Sequence, residues 1–222
     1  MPTRFFNKIN FWVFDLDNTL YHPKLKIFDQ IDQRMKSFIS EKLNMSKEEA
    51  FKIQKKFYYK YGTTLFGLMK HYNVKPQEFL DFVHNIDLSR LKKCKNLFEK
   101  INKLPGEKII YTNGDEKYAS RVLNALGIIN LFEDILDIKK CNYIPKPSVE
   151  ALINLLKKKK VKYRNCVYFE DLEKNLVNAH KYGITTIHIT NKNGREISTK
   201  PFIDFRFNSI IKALDVICKT IN

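Results

Sequence analysis

The amino-terminal part of the chain contains the sequence FWVFDLDNTL at residues 11–20, in which an apolar run ends in two aspartates. A continuous run of large apolar residues is typical of a strand that is buried on both faces, as in a parallel sheet. Open α/β sheets bind their ligands at the carboxyl ends of the strands. The pattern therefore predicts a buried strand that carries Asp15 and Asp17 into a functional site.

Asp15 and Asp17 are one residue apart. Alternate side chains of an extended chain point to the same side, so the two carboxylates can converge on one ligand. Two carboxylates at such a distance repel each other, which favours a bound metal ion or different protonation states for the two groups. Taken alone, the pattern also fits a turn at the end of a strand, in which Asp17 and Asn18 cap the local backbone.

Two further polar motifs follow in the middle of the chain. After the strand-like run at residues 108–111 come Thr112, Asn113 and Gly114, whose hydroxyl, amide and backbone turn could supply neutral donors to an anion, although alone they also fit an ordinary exit from a strand into a loop. Further on, Lys146 lies between two prolines, ahead of an amphipathic helix. Prolines restrict the backbone, so we expect this lysine to be held more firmly than an ordinary surface lysine.

A fourth motif follows the apolar run at residues 166–169. Glu170 and Asp171 come directly after this predicted strand, and Asn175 lies at the start of a helix. In isolation, an acidic pair at this position also fits a simple interaction with the positive end of the helix dipole.

Together, the motifs D-x-D-x-T, T-N-G, P-K-P and E-D-x-x-x-N resemble those of the haloacid dehalogenase superfamily of aspartate-nucleophile hydrolases, over essentially the whole chain. The resemblance implies that Asp15 is the nucleophile and Asp17 the general acid and base. The other roles that it implies are phosphate binding by Thr112, Asn113 and Lys146, magnesium binding by Asp15, the Asp17 carbonyl and Asp171, and support by Thr19, Glu170 and Asn175. Leu172 departs from the small serine that many relatives carry after the acidic pair.

These roles also make chemical sense for hydrolysis of a phosphate monoester. The substrate is an anion and repels an incoming carboxylate, so the site needs a divalent cation and a fixed lysine. Carboxylate and carbonyl oxygens suit Mg²⁺, which we expect as the cofactor. An aspartyl-phosphate on Asp15 would divide the reaction into two easier steps, with Asp17 giving a proton in the first and taking one in the second.

The order of predicted elements indicates an α/β fold with a doubly wound parallel sheet of the Rossmann-like kind and a helical cap inserted after the first strand. Residues 1–21 and 92–222 form the predicted core domain. Residues 22–91 form the predicted cap, with helices over 27–43, 46–61, 64–72 and 76–86. Ser46 and Glu49 have the spacing of a capping box at the start of the second of these.

The cap carries a finer resemblance. Residues 58–68 and the sequence at 18–21 resemble the corresponding segments of pyrimidine 5′-nucleotidase-like members of the superfamily. Phe57, Tyr58 and Tyr61 could stack on a base, but aromatics at helical spacing also fit packing within the cap.

Composition restricts the remaining possibilities. The chain has 222 residues, 44% of them hydrophobic, which is enough for one sizeable core. The four cysteines contain no C-x-x-C pair, so a zinc site or a disulfide framework is not predicted. With no long apolar segment in the sequence, we expect a cytoplasmic protein without a membrane partner, as a monomer or weak homodimer.

The formal net charge is +16, from 40 Lys+Arg against 24 Asp+Glu. Such a charge attracts anionic substrates and also raises the possibility of nucleic-acid binding. The lysines are scattered, and the run at residues 157–160 lies at a helix end, so we expect no specific nucleic-acid partner.

The sequence thus predicts a magnesium-dependent phosphomonoesterase whose substrate is a small phosphorylated metabolite, in particular a nucleoside 5′-monophosphate with a pyrimidine base. A sugar phosphate or phosphoglycolate phosphatase, or a phosphomutase, remains an alternative on the same fold. Dehalogenation is disfavoured because that chemistry does not require Asp17 as an acid. The alternative of a different class is a basic module that binds nucleic acid or regulates a partner.

Overall fold

A computed structural model describes residues 6–191 and 200–221 of the chain. Within this part the core is a six-stranded sheet in the order β3-β2-β1-β4-β5-β6, and all neighbouring strands are parallel. The strands are β1 (Phe11–Phe14), β2 (Glu107–Tyr111), β3 (Asp134–Leu136), β4 (Cys166–Glu170), β5 (Thr185–Ile189) and β6 (Phe205–Phe207). The predicted α/β fold with a parallel sheet is confirmed.

Helices cover both faces of this sheet. In chain order they are α1 (Ile27–Lys42), α2 (Lys47–Tyr61), α3 (Thr64–Tyr72), α4 (Pro76–Val83), α5 (Lys95–Asn102), α6 (Glu116–Leu126), α7 (Glu150–Lys158), α8 (Glu173–Lys181) and α9 (Ile210–Thr220). Trp12 and Phe14 of β1 share a buried cluster with residues of α5, α6 and α9. Phe11 and Val13 share the opposite cluster with α7 and α8, which explains why this strand is apolar at every position.

The order of the strands in the sheet determines where the site lies. The chain runs from β1 outward to β2 and β3, and then returns to β4 on the other side of β1. Such a switch in direction opens a crevice at the carboxyl ends of the two central strands. Phe14 pairs with Phe169, and the backbone N–H of Asp15 donates to the Phe169 carbonyl at 2.9 Å. The residues that follow β1 and β4 are therefore neighbours.

Helices α1–α4 lie in the chain between β1 and β2, at positions that agree with the four predicted helices to within three residues at each end. The start of α2 shows the predicted capping box. The N–H of Glu49 donates to Ser46 Oγ at 3.3 Å, and the Ser46 N–H donates to Glu49 Oε2 at 3.0 Å. Two of the amide groups that a helix start leaves without an internal partner are thereby satisfied.

Helix α5 was not predicted. It has eight residues, and Cys94 at its start makes no capping hydrogen bond with its side chain. Leu97 and Ile101 are its buried residues, in a cluster shared with α9. This helix has no start signal and depends on a partner more than one hundred residues away, so the local sequence gives little indication of it. No helix in the described parts of the chain is long and apolar enough to cross a membrane.

Candidate active site

The polar side chains predicted from the four motifs lie around one cavity of about 620 Å³ at the carboxyl ends of the central strands. Those that line it are Asp15, Asp17, Thr112, Asn113, Lys146, Glu170, Asp171 and Asn175. Thr19 lies behind them, buried beside Asp15. The fold therefore brings together in space every residue that the sequence singled out for the site.

Lys146 is the centre of this arrangement. Its Nζ donates to Asp15 Oδ1 at 2.5 Å and to Glu170 Oε2 at 2.8 Å. A third bond, to the Tyr111 carbonyl at 3.2 Å, uses the remaining ammonium proton. Burial alone would lower the pKa of Lys146, but Asp15 and Glu170 raise it above its usual value. The lysine is thus a fixed positive charge, only 3% exposed, rather than a solvated surface cation.

The polar side chains of Thr19 and Asn113 hold Asp15 and the Lys146 loop in place. Thr19 Oγ1 donates to Asp15 Oδ2 at 2.6 Å, so both oxygens of Asp15 have a donor. Asn113 Oδ1 accepts from the backbone N–H of Lys146 at 2.9 Å, which ties the loop after β2 to the loop that carries the lysine. Thr112 is buried, and its hydroxyl accepts from the Gly114 N–H at 3.0 Å. The Thr112 hydroxyl proton remains available for an anion in the cavity.

Three carboxylates form a cluster that could hold a cation. Oxygens of Asp15, Glu170 and Asp171 lie within 4.8 Å of one another. Burial and the charge of Glu170 raise the pKa of Asp15 to about 7, and burial with the charges of Asp15 and Glu170 raises that of Asp171 to about 10. Burial opposes ionisation of Glu170 too, but Lys146 keeps its pKa below the usual value. When all three carboxylates are ionised, their charge exceeds that of Lys146 by two, which a divalent cation would balance.

Asn175 offers a further side-chain oxygen among the residues that line the cavity. It is 2% exposed and lines the cavity, and its Oδ1 has no hydrogen-bond partner among the described residues. A buried acceptor without a donor costs free energy, so this atom calls for a water, a metal ion or a ligand. Carboxylate and amide oxygens are the donors that Mg²⁺ prefers, and this set fits the ion.

Asp17 is held by two tyrosines that the sequence did not reveal. Tyr21 and Tyr118 both donate to Asp17 Oδ1, at 2.5 and 2.7 Å. Burial raises the pKa of Asp17, and these two hydrogen bonds oppose that shift. Burial also raises the pKa of both tyrosines well above their usual value, so they act as donors. The position of Tyr118 is in turn fixed because Asp115 caps α6 by accepting from the Tyr118 N–H at 3.1 Å.

His188 lies on β5 in a buried position and supports the loop that follows β4. It is 6% exposed, and its Nε2 lies 2.8 Å from the Asp171 carbonyl. With Nε2 protonated, this ring holds the backbone of the loop that presents Asp171. The histidine is outside the carboxylate cluster.

The other wall of the cavity consists of residues from α1, α2, α3 and α4. Among the three aromatics that could stack on a base, Phe57 is 5% exposed and packs against Gly67, where a Cβ would clash with its ring. The Tyr61 hydroxyl oxygen lies 2.5 Å from His71 Nε2. Tyr58 lines the cavity, and the ammonium of Lys174 lies 4.0 Å from its ring centre.

A family model for haloacid dehalogenase-like hydrolases matches residues 12–189, a span that contains all four motifs. The chain belongs to this family. The predicted membership of the haloacid dehalogenase superfamily is thereby confirmed. Leu172, the one position where this hydrolase departs from the predicted motifs, is 39% exposed and lines the cavity.

Two named proteins resemble this hydrolase in sequence. Phosphate metabolism protein 8 of Saccharomyces cerevisiae is 30% identical over 152 residues, which cover 63% of this chain and 46% of the yeast protein. The match thus spans about half the length of that relative. Glyceraldehyde 3-phosphate phosphatase of Methanocaldococcus jannaschii is 24% identical over 221 residues, which cover 92% of this chain and 95% of the archaeal protein.

Solved structures show the same fold. A HAD phosphatase from Thermococcus onnurineus superposes with a TM-score of 0.64 at 17% identity, over 94% of this hydrolase and 98% of that chain. The HAD-hydrolase YfnB from Bacillus subtilis, described as bound to magnesium, gives a TM-score of 0.59 at 14% identity, over 94% and 98%. Both likenesses concern the fold alone.

Proposed function

We propose that this hydrolase is a magnesium-dependent phosphomonoesterase that forms an aspartyl-phosphate on Asp15 and acts on nucleoside 5′-monophosphates, pyrimidine ones preferred. The observation that carries the proposal is the buried pair of Asp15 and Lys146 beside two more carboxylates, at the end of a cavity that also reaches the cap helices. A phosphoryl group fits the charged end, and an organic leaving group fits the rest.

Mg²⁺ would be held by Asp15, Asp171 and the Asp17 carbonyl, with Glu170 and Asn175 beside them. When bound, it would supply positive charge that offsets the repulsion between the Asp15 carboxylate and the phosphoryl oxygens. Lys146 supplies the second positive charge, already in place through its contacts with Asp15 and Glu170.

Asp15 and Asp17 perform the two steps of the reaction. An Asp15 oxygen bonds to phosphorus as the bond to the leaving oxygen breaks, and Asp17 in its protonated form gives that oxygen a proton. Ionised Asp17 then takes a proton from water, whose oxygen displaces the Asp15 carboxylate from phosphorus and yields inorganic phosphate. Burial favours the protonated form of Asp17, and the two tyrosines favour the ionised form, which suits a group that alternates between them.

A panel of phosphomonoesters tests the substrate class. We expect catalytic efficiency on uridine and cytidine 5′-monophosphates to exceed that on purine nucleotides, a hexose phosphate, phosphoglycolate and glyceraldehyde 3-phosphate. A base that stacks on Tyr58 would gain roughly 1–3 kcal/mol, about one to two powers of ten in selectivity. A sugar phosphate or phosphoglycolate that wins by about tenfold or more would exclude the nucleotidase.

Two further experiments test the proposed nucleophile and the need for a metal ion. Asp15→Asn should abolish turnover of every substrate while the circular dichroism spectrum and melting temperature stay near those of the wild type, since an amide has the same shape but does not attack phosphorus. Excess chelator should stop turnover and Mg²⁺ should restore it. Undiminished hydrolysis in either experiment would exclude this mechanism.

A triose phosphate is the second candidate substrate. It is favoured by the archaeal relative, which aligns over nearly its whole length and is named a glyceraldehyde 3-phosphate phosphatase. The same panel separates the two candidates, because a triose phosphate has no ring to stack on the cap.

A further inference from the structure

One buried polar group in the cap has no role in the phosphoryl chemistry. Gln54 of α2 is 1% exposed and lines the cavity between the cap and the core. Its Oε1 has no hydrogen-bond partner among the described residues. Leaving a buried acceptor unpaired costs about 1–3 kcal/mol, so such an atom on a residue that lines a cavity calls for a donor.

The orientation of the Gln54 amide follows from its surroundings. Its Nε2 donates to the Asp32 carboxylate at 2.8 Å and to the Asp32 backbone carbonyl at 3.1 Å. Turning the amide over would place Oε1 against two acceptors, so the nitrogen must face Asp32. The oxygen is therefore a buried acceptor without a donor among the described residues, on a side chain that belongs to the lining of the cavity, and both amide protons are already used.

Contacts on both sides make this acceptor rigid. Asp32 is held by Lys55, whose Nζ lies 2.7 Å from Oδ1. Behind Gln54, the Thr64 hydroxyl donates to the Gln54 backbone carbonyl at 3.2 Å. A group whose position is set in this way discriminates between ligands better than a mobile surface side chain does, because no rotamer freedom is lost on binding.

We propose that Gln54 Oε1 forms a leaving-group subsite that accepts a hydrogen bond from a hydroxyl or amino group of the substrate. This inference rests on the proposed phosphomonoesterase function and adds the chemical class that the cap selects. The substrate bears its phosphate at the carboxylate cluster and an O–H or N–H donor at its other end. A nucleoside fits, with ribose hydroxyls and, in cytidine, an exocyclic amine. A leaving group without a donor leaves Oε1 unpaired and is selected against.

The test compares wild-type protein with Gln54→Met, which keeps nearly the same length and removes the acceptor. The matched control is Gln77→Met, the same chemical change at a position of α4 that does not line the cavity. Substrates are uridine, 2′-deoxyuridine and cytidine 5′-monophosphates, with p-nitrophenyl phosphate as the ester whose leaving group has no donor beyond its reacting oxygen. Binding of uridine to each protein, measured by calorimetry, gives a readout that does not depend on turnover.

We expect Gln54→Met to lower kcat/KM on the donor-bearing nucleotides about three- to tenfold, mainly through KM, and to weaken uridine binding by a similar factor. Hydrolysis of p-nitrophenyl phosphate should stay within about twofold of wild type. If kcat/KM falls only for cytidine monophosphate, the donor is the exocyclic amine. If kcat/KM falls for the two ribonucleotides but not for the deoxynucleotide, the donor is the 2′-hydroxyl.

Equal losses on all four substrates would mean a structural role for Gln54 and would overturn the proposal, as would no loss at all. If Gln54→Met does not fold, Gln54→Asn, which withdraws the acceptor by one methylene, is subject to the same criteria. Failure of the wild type to hydrolyse any ester would refute the phosphomonoesterase. Titrations with uridine and with cytidine would still decide on the subsite, because weaker binding of either nucleoside to the variant supports it, and unchanged or absent binding of both overturns it.

Discussion

Two tyrosine hydroxyls fix the orientation of Asp17, the residue proposed as general acid and base. Both donate to its Oδ1, which leaves Oδ2 as the oxygen free to exchange a proton with the leaving group or with water. A proton-transfer group must lie within hydrogen-bond distance of the reacting atom, so a carboxylate that rotates freely would be less effective. Tyr21 and Tyr118 are thus positioning residues for this reaction.

Tyr118→Phe should lower kcat by about tenfold or more with little change in KM, since a hydrogen bond to a charged group contributes roughly 1.5–3 kcal/mol. Loss of the donor also raises the pKa of Asp17 further, so the acidic limb of the kcat profile should move to higher pH. Steady-state kinetics between about pH 5 and 9 measures both effects. Tyr182→Phe, at an exposed tyrosine outside the cavity, is the control. A Tyr118→Phe profile that overlays that of the control would contradict the positioning role.

The raised pKa values of Asp15 and Asp171 couple metal binding to proton release. In the folded protein without metal these values are about 7 and about 10, above the ordinary 3.8. Because the folded state holds protons that the unfolded state has lost, the stability of the metal-free protein is greatest below about pH 4 with respect to these two groups and falls as the pH rises toward about 10. A cation needs the ionised forms and so displaces these protons.

Mg²⁺ binding near pH 7 should therefore release about one proton or more, and the apparent affinity should rise between about pH 6 and pH 9. Calorimetric titrations in two buffers with different protonation enthalpies measure the released protons. Asp171→Asn provides the matched comparison, because it removes the group with the highest pKa and should reduce the release. A binding enthalpy that is independent of the buffer would refute the coupling.

Among the structural elements, the turn after α2 lies against the loop that carries Lys146. Gly62 has φ +86°, and a Cβ at this position would lie 2.9 Å from the Lys146 carbonyl and 3.2 Å from Pro145. Only glycine allows so close an approach at a positive φ. The end of α2 thus rests on the loop that carries Lys146, and any displacement of this turn changes the cavity.

Gly62→Ala should lower kcat/KM more than about tenfold, because the new methyl group pushes the cap away from the Lys146 loop. Gly183→Ala is the control, since this glycine has φ +80° but a Cβ placed on it would meet no atom within 4 Å. Both substitutions carry the backbone cost of about 1 kcal/mol for alanine at positive φ, and Gly62→Ala alone adds the steric contact. Kinetics and urea denaturation of the two variants separate these effects. Equal activity would show that the contact is not needed.

Over the molecule as a whole, the formal charge of +16 creates a field that attracts anions. In the site itself, however, two carboxylates bind one buried lysine, and a third lies within 4.8 Å of those two. The surplus of positive charge therefore comes from residues outside the carboxylate cluster, where it increases the encounter rate with phosphorylated substrates and exchanges counterions with any polyanion.

Binding to RNA or DNA should accordingly be weak, independent of sequence and steeply dependent on salt, since scattered lysines only displace counterions. Fluorescence anisotropy with two unrelated oligonucleotides at about 50 and 200 mM salt measures this. Competition by the oligonucleotides should not inhibit hydrolysis at the higher salt concentration. Sequence-selective binding that persists there would favour the alternative of a nucleic-acid-binding module.

The fold class and most helices and strands of this protein could be predicted from its sequence. Local signals suffice for these, because an apolar run such as residues 11–14 or the capping box at Ser46 and Glu49 acts within one element. The sequence also predicted that the polar residues after successive strands lie at one edge of the sheet, because the carboxyl ends of parallel strands share that edge.

How those side chains interact depends on the tertiary structure. Asp15 and Lys146 are 131 residues apart, and Asp17 and Tyr118 are 101 residues apart. Their bonds depend on the order β2-β1-β4 and on the packing of α6, neither of which a local pattern encodes. The unpaired acceptor of Gln54 also depends on the tertiary structure. The elements that pack around a helix determine whether a glutamine on it is exposed to solvent, buried or part of a cavity lining.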